Sequence, residues 1–144
     1  MDKNLLLGEA NSFLTDWHRA AAEADAEKYF GSMDNDFVFL GTDLQERWTK
    51  EEFKAWAMPY FRGNSAWFYS AIKRDITISD SNVYAWFDEL LESEKYWTCR
   101  GTGVMFYSAN GWKLKHYSLS FTIPNEVVAE ITPIIKSALS NKGE

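Results

Sequence analysis

The sequence predicts an α+β fold, with helices packed on one side of a strongly curved, mostly antiparallel sheet. Two observations predict it. Up to Ser65 the longest apolar patterns recur at helical spacing, whereas after it apolar and polar residues alternate with a period of two through four long segments. Those segments are separated only by short polar stretches at 79–82 (SDSN), 93–95 (SEK) and 108–111 (SANG), as in an antiparallel meander.

The elements follow in order. Residues 3–23 form an amphipathic helix, because Leu6, Ala10, Phe13, Trp17, Ala20 and Ala24 recur at steps of three and four. Asp25 is a suitable N-cap for a second, short helix through AEKYF, which Gly31 stops. MDND at 33–36 reads as a turn, and DFVFLGT at 36–42 as a short strand buried on both faces. Thr49 followed by Glu52 is a capping box, and Phe53, Trp56, Ala57 and Tyr60 give the stripe of the helix it starts. Pro59 and Gly63 close that helix. The four strands then lie within 66–80, 82–93, 95–108 and 111–124. A last helix begins at Pro124 and Asn125 and carries Val127, Ile131, Ile134 or Ile135, and Leu139 on one side, with a kink expected at Pro133.

The 144 residues fit one domain spanning 1–144. Fifteen Lys and Arg against 21 Asp and Glu leave a net charge of −6, which argues against a nucleic-acid partner. No apolar run approaches the roughly 20 residues of a membrane span, and the opening MDKNLLLGEA is too short and too acidic for a signal peptide. Cys99 is the only cysteine, which excludes an internal disulfide and fits a reducing compartment. A soluble, cytoplasmic domain is expected. Aromatic residues reach 17%, with seven Trp and ten Phe, and point to a cavity lined with rings, a large curved core, or a subunit interface.

Strand alternation sorts the sheet into two faces. Trp86, Asp88, Arg100, Trp112, His116 and Ser118 fall into one set, which mixes apolar bulk with a few polar groups as ligand pockets do. The opposite set holds Phe87, Trp97, Met105, Tyr117, Leu119 and Phe121. Left uncovered, so apolar a face would aggregate, so a homodimer through it, as the outer face of the sheet, is expected.

Three stretches, WHRAAAEADAEKYF, DFVFLGTDLQERWTKEEFKAWAMPYF and RGTGVMFYSANGWKLKHYSLSFTIPNE, resemble the SnoaL-like branch of the nuclear transport factor 2-like superfamily. The resemblance covers nearly the whole chain. It implies a cone-shaped fold, a curved sheet wrapped over N-terminal helices, usually dimeric, with a pocket inside. Enzymes of this superfamily place carboxylates and histidines on the pocket face, and by position Asp88, Arg100 and His116 match. The superfamily includes isomerases, cyclases, dehydratases and transport factors, so the fold does not fix a reaction.

The residues themselves leave two readings. His116 with Asp88 would serve as an acid/base pair beside Arg100, Trp86, Trp112 and Ser118 as ligand contacts. Alternatively Asp88 and Arg100 form an ion pair and His116 bonds Ser118, giving a closed polar network without catalysis. His18 reads as a helix-surface or pocket-rim group. In GTDLQERWTKEEF, Glu51 and Glu52 belong to the helix start, Gly41 to a tight backbone, and Asp43 to a turn or to the pocket. Glu46 and Arg47 are adjacent, so one of them faces the pocket.

No cofactor is expected. The glycines at 101 and 103 lie inside a strand and do not form a phosphate loop, no metal-ligand spacing occurs, and Cys99 is placed away from His116. The function expected is binding of a small, largely apolar organic molecule, either with cofactor-free isomerase, cyclase or dehydratase chemistry or as a non-catalytic dimeric module.

Overall fold

The computed structural model describes residues 2–142. Helix α1 (Lys3–Ala22) starts where the Asp2 carboxylate accepts the Asn4 N–H, and α2 (Ala26–Gly31) starts where Asp25 accepts from Lys28. Strand β1 (Met33–Leu40) and the three-residue β2 (Arg47–Thr49) precede α3 (Lys50–Ala57). A 3-10 turn, Met58–Arg62, takes Pro59 in its first turn. The meander is β3 (Tyr69–Ile78), β4 (Tyr84–Ser93), β5 (Cys99–Ser108) and β6 (Gly111–Phe121), followed by α4 (Val128–Lys142).

The six strands form one sheet in the order β2-β1-β6-β5-β4-β3. Strand β1 runs parallel to β6 and every other pairing is antiparallel. The expected turn at 33–36 is extended and belongs to β1. Its two carboxylates, Asp34 and Asp36, are held by the Lys115 ammonium at 2.9 and 2.7 Å, and that ion pairing keeps a polar stretch in strand geometry. The three-residue β2 was not expected, since nothing in so short a segment shows a period.

Helix α1 packs on β3 and β6, and α2 and α3 pack on β1. The core they close is largely aromatic. Trp17 of α1 stacks on Tyr29 at 4.9 Å and meets Tyr117 edge-on at 4.8 Å. Burying groups of this size supplies about 1.5–3 kcal/mol each and pins the helices against the sheet.

The two faces of the sheet are the reverse of the expected ones. In β4 the buried residues are Ala85, Phe87, Glu89 and Leu91, while Trp86 and Asp88 are exposed. Phe87, Met105 and Tyr117, expected at a subunit interface, lie under the helices. Trp97 and Phe121 are exposed near the sheet end. The parity argument also fails within β6. Val104 pairs with His116 but Met105 pairs with Leu114, so Lys115 is an extra residue in β6. Trp112 and Leu114 therefore point inward, whereas His116 and Ser118 go to the outer face with Arg100.

Candidate functional site

A cavity of about 440 Å³ opens between two walls. One wall is the 41–46 loop with Trp48, Phe53, Trp56 and Tyr60. The other is Trp67, Phe68 and Tyr69 with Ser93–Tyr96 from the β4–β5 connection. Phe39 of β1, Ala66 and Leu119 of β6 complete the lining. The capping box positions much of the first wall: Thr49 Oγ1 accepts the Glu52 N–H and the Glu52 carboxylate accepts the Thr49 N–H. That fixed helix start sets Phe53 and Trp56 one turn apart, with Trp48 stacked on Trp56 at 4.8 Å and Phe39 on Phe53 at 4.2 Å.

The polar groups of the cavity are few. Glu46 Oε1 accepts the Asp43 N–H at 2.9 Å, and the Gly41 N–H donates to the Glu46 carbonyl at 2.8 Å. A Cβ on Gly41 would come within 2.9 Å of the Glu46 Cβ, so only glycine lets the loop close on this carboxylate. Burial, followed by the charges of Cys99 and Tyr96, pushes the Tyr69 phenol up to about 12, so it stays protonated and can donate a hydrogen bond at neutral pH. Ser93, Glu94 and Lys95 stand at the β4–β5 edge.

Of the adjacent pair Glu46 and Arg47, Glu46 lines the cavity and Arg47 is exposed. Asp43 is a turn residue. It accepts the Gln45 N–H at 2.9 Å and pairs with Lys142 of α4 at 3.1 Å, and those two contacts, in that order, hold its carboxyl below the ordinary range. None of Trp86, Asp88, Arg100, Trp112, His116 and Ser118 lines the cavity. Among the described residues no ion pair joins Asp88 to Arg100, whose register partners are Thr102 and Leu90. Cys99 is buried and burial pushes its thiol up, which makes it a poor nucleophile.

A second polar cluster lies in the core, behind the cavity wall. Glu89, fully buried, accepts from His18 Nε2 at 2.7 Å, Tyr117 Oη at 2.6 Å and Arg74 Nε at 2.7 Å. Arg74 Nη1 is spent on Asn11 and Thr15 of α1 at 2.9–3.1 Å. Burial raises the Glu89 carboxyl, but the His18, Arg74 and Tyr117 contacts prevail and leave it below the ordinary range. His18 is thus a buried partner of a carboxylate and not the helix-surface or pocket-rim group expected. The cluster ties α1 to β3, β4 and β6, and none of its members lines the cavity.

Sequence reasoning missed this network and the cavity's rings for different reasons. Strand parity puts Glu89 opposite Asp88, among Ala85, Phe87 and Leu91, and one carboxylate in so apolar a set is the signal that could have found the network. The rings at 53, 56 and 60 follow a helical stripe, which reads as core whether or not a cavity adjoins it.

Among the described residues no group of three or more His, Cys, Asp or Glu could hold a metal ion, and no helix is long and apolar enough to cross a membrane. The SnoaL-like domain model matches residues 10–124. No curated protein matches the chain. Solved structures share the fold at low identity. An NTF2-like protein of unknown function from Pseudomonas putida is 14% identical, covering 88% of this chain and 93% of its own, with a TM-score of 0.69. A proposed dehydratase of the NTF2-like family from Streptomyces avermitilis is 10% identical over 85% of this chain and 100% of its own, with a TM-score of 0.71. A proposed calcium/calmodulin-dependent protein kinase II association domain from Xanthomonas campestris is 17% identical over 81% and 87%, with a TM-score of 0.60. With this family match over most of its length, the chain belongs to the SnoaL-like family, and its helices followed by a curved six-stranded sheet share the fold of the NTF2-like structures.

Proposed function

We propose that the protein binds a small, largely apolar organic molecule between the Trp48–Tyr60 wall and the Trp67–Tyr69 wall. The cavity itself carries this reading. At about 440 Å³ it falls within the roughly 300–1,000 Å³ of small-molecule sites, and it combines a ring-lined wall with a few polar groups. Cofactor-free proton transfer, of the isomerase, cyclase or dehydratase kind, would rest on Glu46 as proton acceptor and Tyr69 as hydrogen-bond donor. It would not rest on His116 and Asp88, which lie on the outer face. The test is a screen of apolar carbonyl and hydroxyl compounds by tryptophan fluorescence and thermal shift, on wild type and Trp56→Ala. Binding lost in the variant supports the reading; no binder among compounds that fit the cavity defeats it. Proton–deuterium exchange on a bound carbon acid, abolished in Glu46→Gln, would mark an enzyme.

A non-catalytic module is the second reading, supported by the buried His18–Glu89–Arg74–Tyr117 network and by the association-domain neighbour. A homodimer is compatible with both. Its support is the outer sheet face, where Tyr84 and Trp86 are 47% and 50% exposed next to Val104 and Phe106. A cytoplasmic setting is supported by the buried, unpaired Cys99.

A further inference from the structure

The charges around the cavity are unevenly placed. Glu94 and Lys95 are exposed, of opposite sign, and screened by water at the edge. Glu46 is half-buried. Its Oε1 takes the Asp43 N–H, and among the described residues no Lys, Arg or His forms an ion pair with it. A carboxylate drawn out of water without a cation is costly, and a ligand that supplies the cation removes the cost.

The rings of the same cavity suit the same ligand. Trp48, Trp56 and Trp67 share the lining with it, and indole is the ring that attracts cations most strongly. The opposite wall already shows the contact: the Lys95 ammonium stands 5.4 Å from the centre of the Tyr96 ring. No buried ammonium or guanidinium lines the cavity to receive an anion. The net charge of −6 adds a long-range attraction for cations.

We propose that the ligand is an organic ammonium, a quaternary or protonated amine on an apolar body, whose charge is held by Glu46 and the indoles of Trp48 and Trp56. This rests on the small-molecule reading of the cavity and names the ligand class. The test uses two carbon-for-nitrogen isosteres, para-(hydroxymethyl)benzyltrimethylammonium and para-neopentylbenzyl alcohol, titrated by calorimetry and tryptophan fluorescence. In wild type the cation binds at least about tenfold more tightly than the neutral isostere. In Glu46→Gln, where the amide oxygen can still accept the Asp43 N–H, that preference shrinks severalfold. Equal or tighter binding of the neutral compound by wild type overturns the ammonium inference and leaves the small-molecule reading standing. Binding of neither compound at millimolar concentration overturns both. The wild-type comparison decides even if the variant is poorly folded.

Discussion

Tyr117 of β6 donates its hydroxyl to Glu89 of β4 over 2.6 Å, although β5 runs between the two strands. The bond is possible because the β5 residue facing Glu89 is Gly101. A Cβ there would fall on the Tyr117 hydroxyl and come within 3.1 Å of Glu89 Oε2. Gly101→Ala is therefore expected to destabilise by about 1–3 kcal/mol, since it displaces a hydroxyl from a buried carboxylate. Gly8, exposed in α1 with open space around its Cα, gives the contrast: Gly8→Ala is expected to stabilise by roughly 0.5–1 kcal/mol. Urea denaturation of both variants checks the pair, and equal effects would discount the close approach at Gly101.

The same network sets an acid dependence. Glu89 titrates below its ordinary value when folded, because the His18, Arg74 and Tyr117 contacts outweigh burial. A depressed carboxylate contributes stability that is fully present above the unfolded pKa, about 4.3, and is lost as pH falls through the folded value. The thermal midpoint of wild type is expected to fall steeply between about pH 5 and pH 3, and less steeply in Glu89→Gln. Glu89→Ala, which leaves Arg74 and His18 buried without their acceptor, is expected to cost about 3–5 kcal/mol at neutral pH. Parallel slopes in wild type and Glu89→Gln would remove this carboxylate from the account.

Local signals carried the fold. The Asp25 cap, the Thr49–Glu52 box and the four alternating segments all stand where the residues predicted them. The site was less legible because a face assignment depends on which face the helices cover. Asp88 and Glu89 are neighbours on opposite faces of β4, and composition alone favoured the wrong one. Residue-by-residue parity also cannot foresee the bulge at Lys115, which separates Trp112 from His116. Glu46 was legible as one of two candidates, since Glu46 and Arg47 could not both turn inward. The polar stretch at 33–36 was misread because the partner that straightens it, Lys115, lies far along the chain.

The capping box links stability to the cavity. Thr49→Ala removes the oxygen that accepts the Glu52 N–H at 3.3 Å, and the expected loss is about 1 kcal/mol. Helix α3 carries Phe53 and Trp56, so loosening its first turn should also weaken ligands bound at the Trp48–Tyr60 wall. Thr49→Ser keeps the acceptor and should restore both properties. A variant that loses binding with no change in denaturation midpoint would assign Thr49 a direct ligand contact instead.

The outer face supports the last prediction. Trp86 pairs with Val104 and Tyr84 with Phe106 across β4 and β5, and helices cover only the other side of these strands. Five strands about 4.8 Å apart and about 33 Å long present roughly 800 Å² on that side, which matches what each partner buries in a standard interface. A two-fold pairing of this face would bury the half-exposed indole of Trp86, and aromatic anchors of this kind are where truncation and charge cost an interface most. Wild type is expected to elute as a dimer by size exclusion with light scattering at about 10 μM, a concentration well above the dissociation constant of standard interfaces. Trp86→Glu, which puts a carboxylate beside Asp88 on the same face, is expected to elute as a folded monomer. Its inner face and its cavity are untouched, so ligand binding should persist in the monomer. A wild type that is monomeric at that concentration rejects the interface, and a dimer that survives Trp86→Glu moves it to another surface.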